Sequence, residues 1–175
     1  MAINKKIKFV PINIAVVTIS DSRTLENDTS GNLLQERISS AGHQLILRKI
    51  IPDDVDLIKE TIEKLSKRNE VDCIITTGGT GLTGRDTTPE AIKNITNKTI
   101  DGFGELFRQI SFNKIGTSAI QSRAVAALIN TSYVFCLPGS TAACKDGWDE
   151  ILKYQLDIRH EPCNFIEIMP RLKER

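Results

Sequence analysis

An α/β fold, with a mainly parallel sheet covered by helices on both faces, is what this sequence predicts, and three observations carry the prediction. Short apolar runs alternate with segments of helical spacing along the chain. The clearest runs, Ile12–Ile19 and Ser132–Leu137, are apolar on both faces, as in strands covered on both sides. Each strand-like run ends in small, polar or acidic residues, the composition of turns at a sheet edge.

In chain order, Ile12–Ile19 is the first strand. Leu33, Leu34, Arg37, Ile38 and Ala41 then follow helical spacing, and Gly42 stands where a C′ residue ends a helix. Gln44–Ile51 reads as a second, more amphipathic strand. Val55, Ile58, Ile62 and Leu65 mark the next helix, with Asp53 or Asp54 as its cap. Val71–Thr77 is a third strand that runs straight into glycines. Thr88-Pro89 next sets a capping residue before a proline at the first helical position. Phe103, Leu106, Phe107 and Ile110 predict an amphipathic helix, and Ala124, Val125, Leu128 and Ile129 a further one. Ser132–Leu137 is a buried strand stopped by Pro138-Gly139, and Ala143, Trp148, Ile151 and Leu152 supply the last helical face. Nothing repeats and no linker interrupts the pattern, so one domain over 1–175 is expected, with 1–11 and 171–175 as flexible tails.

Composition narrows the classes of function. A 40% hydrophobic, 26% charged chain of 175 residues can bury a core without disulfides. A formal charge of +1 gives no reason to expect a nucleic acid or an anionic membrane as partner. No stretch approaches the ~20 apolar residues of a membrane span, and no secretory h-region follows Lys5, Lys6 and Lys8. Cys73, Cys136, Cys144 and Cys163 lack metal-ligand spacing and read as reduced thiols of a cytoplasmic protein.

In open α/β sheets, ligands lie beyond the carboxyl ends of the strands. The exits here are Ser20-Asp21-Ser22-Arg23, Pro52-Asp53-Asp54, Gly78-Gly79-Thr80-Gly81 and Pro138-Gly139-Ser140. The third continues through Leu82-Thr83-Gly84-Arg85-Asp86-Thr87-Thr88-Pro89. Glycines there let backbone N–H groups crowd an anion, and threonine hydroxyls add donors. Gly79 and Gly84 have P-loop spacing, but Arg85-Asp86 replaces the required Lys-[Ser/Thr]. Gly79, Gly81 and Gly84 also spell the dinucleotide fingerprint, which would imply a nicotinamide-dependent oxidoreductase. The helix signal comes too late for that, at Thr88-Pro89, and the acidic residue at the right distance, Asp101, follows no convincing strand. Asp53 and Asp86 are the carboxylates that the fold could bring beside bound phosphates to hold magnesium. Their alternative roles are a helix cap for Asp53 and a solvated loop position for Asp86.

The loop Thr76–Gly81, continued through Arg85-Asp86-Thr87-Thr88-Pro89-Glu90, resembles the molybdopterin-binding loop of the MoaB/MogA family. Ser20–Arg23, Ile51–Asp54, Gly102–Glu105, Gln109–Ser111 and Leu137–Ser140 fit in order, over almost the whole stretch from Ile12 to about Phe165. Arg159–Phe165 and Ile115–Ser118 look like the B-type branch. The resemblance implies an α/β three-layer sandwich, the molybdopterin-binding fold, assembled as a trimer or a hexamer. It implies magnesium-dependent transfer of an adenylyl group from ATP to the terminal phosphate of molybdopterin, with a non-catalytic molybdopterin-binding protein of the same pathway as the alternative. Asp53 and Asp86 look like the family's functional aspartates. Gly78, Gly79, Thr80 and Gly81 would hold phosphates, opposite Pro138, Gly139 and Ser140, and Ser20, Asp21, Ser118 and Ser122 are further candidates. Other proteins of molybdenum cofactor biosynthesis are the implied partners.

Overall fold

The computed structural model of this chain describes residues 2–174. In chain order the elements are β1 (Ala2–Ile3), β2 (Asn13–Ile19), α1 (Thr29–Ser40), β3 (Gln44–Ile51), α2 (Val55–Ser66), β4 (Cys73–Thr77) and α3 (Thr88–Lys93). They continue as β5 (Lys98–Thr99), α4 (Asp101–Ile115), β6 (Val125–Ile129), β7 (Ser132–Leu137), α5 (Thr141–Asp146), α6 (Lys153–Gln155), β8 (His160–Glu161) and α7 (Phe165–Ile168). A π-helical turn, Gly147–Leu152, joins α5 to α6.

Six strands pair in the order β3-β2-β4-β7-β6-β5. The first four are mutually parallel, whereas β6 runs antiparallel to both β7 and β5. Alternate residues of each strand feed opposite faces. Ile14, Val16, Ile75 and Phe135 pack with Leu34, Ile38, Phe107 and Trp148 on one side. Ala15, Val17, Ile74 and Val134 pack with Ile58, Ile62 and Ile92 on the other. The result is the expected three-layer sandwich. Ile58 and Ile62 are fully buried, and burial of each such side chain contributes about 1.5–3 kcal/mol.

Local chemistry sets the helix ends. Asp54 caps α2 by accepting from the Asp56 and Leu57 N–H groups, which leaves Asp53 free of that duty. The C-cap of α1 is Ala41, and Gly42 follows at φ +88, as its C′ position requires. At the start of α1, buried Asp28 accepts from Thr18 Oγ1 (2.7 Å), the Gly31 N–H (2.9 Å), Ser30 Oγ (3.1 Å) and Arg48 Nη2 (3.0 Å). Burial pushes its pKa up, but these donors outweigh burial and hold the carboxyl below its ordinary value.

Several expectations are corrected. Ala124, Val125, Leu128 and Ile129 lie not on a helix but in and beside β6, which pairs with β7 across Ile129 and Ser132. Every position of Val125–Ile129 is apolar, so no period is readable. The reversal rests on Asn130 at φ +53, a residue type that tolerates the left-handed region. In α4 the buried positions are Phe103, Gly104, Phe107 and Ser111, while Leu106 is 42% exposed. The cap of α3 is Thr87, with Thr88 its first residue. Part of the expected amino-terminal tail is strand, since Ala2 and Ile3 pair with Glu161 and His160, and the Asn4 N–H donates to Arg159 O. A ladder of this length carries no periodic signal.

Candidate functional site

Because β3, β2, β4 and β7 are parallel, their four exits share one edge of the sheet. The connection from β2 leads to β3 on one side, while β4 lies on the other, so the strand order switches between β2 and β4. A crevice opens at such a point. The glycine loop enters it directly from β4. Gly78 has φ +104, and a Cβ there would stand 2.1 Å from Ile19 O, so this main chain crosses the end of β2 at a distance only glycine permits. Gly79 follows at φ +63, and a Cβ on it would lie 2.3 Å from Thr88 Oγ1 and 2.7 Å from Asp53 Oδ2. The Gly78 N–H donates to Leu137 O at 3.1 Å, and Gly139 backs onto Gly78 so closely that its Cβ would be 3.2 Å from Gly78 Cα. Two strand exits are thereby packed into one wall.

Asp53 leaves β3 toward this loop and is 9% exposed. Its Oδ1 accepts from Thr87 Oγ1 (2.9 Å) and the Thr87 N–H (3.2 Å). Its own N–H donates to Asp21 Oδ1 at 3.2 Å, and Asp21 Oδ2 accepts from Arg85 Nη2 at 2.6 Å. Arg85 accordingly holds the exposed Asp21 carboxyl below its ordinary value. Asp86 sits beside Gly81, with Oδ2 accepting from Thr83 Oγ1 (2.5 Å) and the Thr83 N–H (2.9 Å). The Thr83 hydroxyl, the neighbouring N–H groups and the charge of Arg123 keep its pKa lowered against desolvation.

The edge therefore brings together Ser20, Asp21, Asp53, Gly78, Gly79, Thr80, Gly81, Asp86, Pro138, Gly139 and Ser140. Ser20 Oγ accepts from the Ser22 and Arg23 N–H groups, and Ser140 caps α5 by accepting from the Ala143 N–H. Ser122 precedes Arg123 in the chain, and its own hydrogen bonds run to Ala119 O and from the Ala124 N–H rather than to the loop. Ser118 lies exposed in the 3₁₀ turn Gly116–Gln121 and makes no hydrogen bond to the loop. The residue that sequence reasoning missed is Arg123, which donates to Thr80 O (3.2 Å) and Asp86 O (2.9 Å) and pairs with Glu90. Thr87 and Thr88 were legible as hydroxyls of the loop, and Thr88 also as a capping residue. Thr88 Oγ1 instead bonds Gly78 O at 3.1 Å.

A cavity of about 560 Å³, lined by residues including Asp21, Arg23, Arg48 and Lys49, opens at the β2 and β3 exits. Another of about 530 Å³, lined by residues including Glu90, Asp101, Glu105 and Ala124, opens near the start of β6. Both have the size of small-molecule sites. Among the described residues no three His, Cys, Asp or Glu side chains stand together as a metal cluster. The dinucleotide geometry is absent, because α3 opens after the glycines rather than within them. Asp101 does follow a two-residue strand, β5, but β7 and β6 separate that strand from β4.

Fold and edge together define an α/β protein with a glycine loop, flanked by carboxylates, at the switch point of a mainly parallel sheet. The chain belongs to the family described as "Probable molybdopterin binding domain", which matches residues 15–158. It is 41% identical over 167 residues to molybdenum cofactor biosynthesis protein B of Escherichia coli (strain K12), covering 95% of this chain and 96% of that one. It is 40% identical over 149 residues to a "Probable molybdopterin adenylyltransferase" of Methanocaldococcus jannaschii, covering 81% and 87%. A crystal structure of a molybdenum cofactor biosynthesis protein B superposes with a TM-score of 0.85 at 37% identity, covering 95% and 98%. No helix among the described residues is long and apolar enough to cross a membrane.

Proposed function

We propose that this chain binds molybdopterin at the glycine-loop edge and transfers to its terminal phosphate an adenylyl group from ATP. A phosphate oxygen of molybdopterin attacks the α-phosphorus of ATP, the bond to the β-phosphate oxygen breaks, and diphosphate leaves. The observation that carries this reading is the pair of left-handed glycines, Gly78 and Gly79, with Asp53 Oδ2 only 2.7 Å from where a Gly79 Cβ would stand. The name of the Methanocaldococcus jannaschii relative supports it.

Transfer of this kind needs alignment and charge neutralisation rather than a protein nucleophile. Backbone N–H groups of Gly79 and Thr80 would hold phosphate oxygens, with Gly81 beside them and Pro138, Gly139 and Ser140 as the opposite wall. Ser20 and Asp21 border the β2 side, and Ser118 and Ser122 would act from the far end. Magnesium takes one or two carboxylates plus substrate phosphates and keeps its remaining waters. Asp53 Oδ2 fits such a role, as it accepts no hydrogen bond from the described residues. Asp53 and Asp86 would hold the ion, and when bound it would neutralise the triphosphate and the departing diphosphate. A second reading, binding without turnover, is favoured by one observation: Asp86 Oδ2 is already engaged twice by Thr83.

The decisive experiment is diphosphate release from ATP by purified protein, with and without molybdopterin, at saturating magnesium. Molybdopterin-dependent release is expected. Tight molybdopterin binding with no release would establish the second reading, and no molybdopterin binding would refute both.

Self-association as a trimer or hexamer is part of the same proposal. Phe112 (57% exposed), Ile115 (59%) and Ile120 (85%) support it, as a patch that water alone would cover in a monomer. Unpaired thiols at all four cysteines fit a reducing cytoplasm. Hand-over to other proteins of molybdenum cofactor biosynthesis would follow.

A further inference from the structure

We propose that Arg123 is the positioning residue for both carboxylates of the site, orienting Asp53 and Asp86 through two intervening peptide units. A trans peptide is planar, with its C=O and N–H pointing in opposite directions, so whatever grips the oxygen aims the hydrogen. Arg123 Nη2 donates to Asp86 O at 2.9 Å. The N–H of that same peptide belongs to Thr87 and donates to Asp53 Oδ1. Arg123 Nε donates to Thr80 O at 3.2 Å, and the far side of that peptide, Gly81, lies against the Asp86 carboxylate, so close that a Cβ on it would stand 2.6 Å from Asp86 Oδ2. One guanidinium thus sits behind two peptides, each ending on one aspartate.

Chains of hydrogen bonds polarise one another, so a cation on the carbonyl side strengthens the donor on the other side. The third corner of the fork, Nη1, is held by the Glu90 carboxylate from α3. All three guanidinium nitrogens are therefore engaged with the protein, which argues against Arg123 as a direct ligand of substrate phosphate. A lysine at this position keeps the charge but has no planar fork to span three acceptors. The loop from Thr80 to Asp86 is clipped at both ends by this one side chain.

The consequence for turnover rests on the proposed adenylyl transfer, whereas the consequence for the carboxylates does not. The test uses the full chain and the variants Arg123→Lys and Arg123→Met, with circular dichroism to confirm folding. Amide hydrogen exchange at Thr87 and Gly81 should quicken by about tenfold in both, the worth of a hydrogen bond to a charged group. Exchange at Ile75 within β4 should not change. Diphosphate release should lose about a hundredfold in kcat, as expected of misplaced groups, with molybdopterin affinity nearly unchanged. Unchanged exchange at Thr87 and Gly81 would overturn the proposal, as would a loss confined to ligand affinity, the mark of a direct phosphate contact. Should the wild type bind without turnover, the exchange measurements still decide the matter. If Arg123→Met fails to fold, Arg123→Lys carries the same readouts.

Discussion

Three glycines in one loop offer a graded test of how its backbone is built. At Gly79, an alanine would be held at φ +63, which costs an L-residue about 1–2 kcal/mol. Its methyl would stand 2.3 Å from Thr88 Oγ1, so the hydroxyl must leave Gly78 O and forfeit about 1 kcal/mol more. The sum, about 2–3 kcal/mol, corresponds to a fall of roughly 5–10 °C in Tm for a chain of this size. The same methyl would be 2.7 Å from Asp53 Oδ2 and must also displace that carboxylate. Gly78→Ala should be worse for folding, because its methyl meets main chain, Ile19 O at 2.1 Å, rather than a side chain that can turn away. Gly84→Ala has nothing within 4 Å of the new methyl and should stay within about 0.5 kcal/mol of the wild type. The assay is thermal unfolding of the three variants beside calorimetric titration with molybdopterin. The expected order of stability is Gly84→Ala, Gly79→Ala, Gly78→Ala, with binding already lost in Gly79→Ala. Equal Tm for Gly79→Ala and Gly84→Ala would refute the reasoning from backbone and space. Unimpaired binding by Gly79→Ala would remove the loop from the site.

Asp53→Asn should reduce diphosphate release by about a hundredfold or more, since metal-assisted charge stabilisation is worth several kcal/mol. Asp54→Ala should instead cost about 1 kcal/mol of stability as a lost cap and leave release intact, so equal kinetic losses would deny Asp53 its role. Burial between Phe9 and Trp148, partly offset by Asp157, lowers His43 to about 4. A histidine with a depressed folded pKa contributes stability that is present above pH 6.5 and is lost on descent toward 4. Stability should therefore fall by up to about 3 kcal/mol across that window, and His43→Gln should flatten the slope between pH 5 and 6.5. A thiol reagent should label the exposed Cys163 alone in the native protein, because burial pushes Cys136 and Cys144 up to about 12 and Cys73 well above its ordinary value. Rapid labelling of a second thiol would show an opening that the packing does not provide. Ile120→Glu should lower the mass seen by light scattering, and an unchanged oligomer would exclude that patch from the contact.

Where one residue's own neighbours decide its conformation, the sequence was legible. Gln44–Ile51 is a strand to the residue, and Gly42 ends α1 as its position after Ala41 implied. Asp53 and Asp54 show the limit of local reading. Either could cap α2, and only the geometry shows that Asp54 does so, freeing Asp53 to face the glycine loop. Val125–Ile129 was misread because a segment buried on both faces has no polar residue to mark a period. Arg123 left no local sign, since its partners lie 43, 37 and 33 residues earlier in the chain. Strand order escaped for a similar reason: it depends on which side each crossover takes. The glycine loop itself was legible because its chemistry is dense and contiguous.

The ion pair between Arg48 and Asp28 has a consequence beyond the start of α1. β3 is the outermost strand on its side of the sheet, eight residues long and mostly aliphatic, and its outer edge is a template onto which another extended chain could zip. Arg48 and Lys49 interrupt that template at its middle. With Arg48 drawn inward by Asp28 and Lys49 exposed, any strand added at this edge would have to accommodate charge where it needs apolar partners. The pair is in that sense a guard against aggregation, most needed while the chain is still folding and β3 has yet to be covered by its own helices. An Arg48→Val chain that still folded would extend the apolar run Leu45–Leu47 by one more residue on an open edge, and its losses should be seen as insoluble protein on top of the lowered Tm that buried Asp28, left without its cation, must bring.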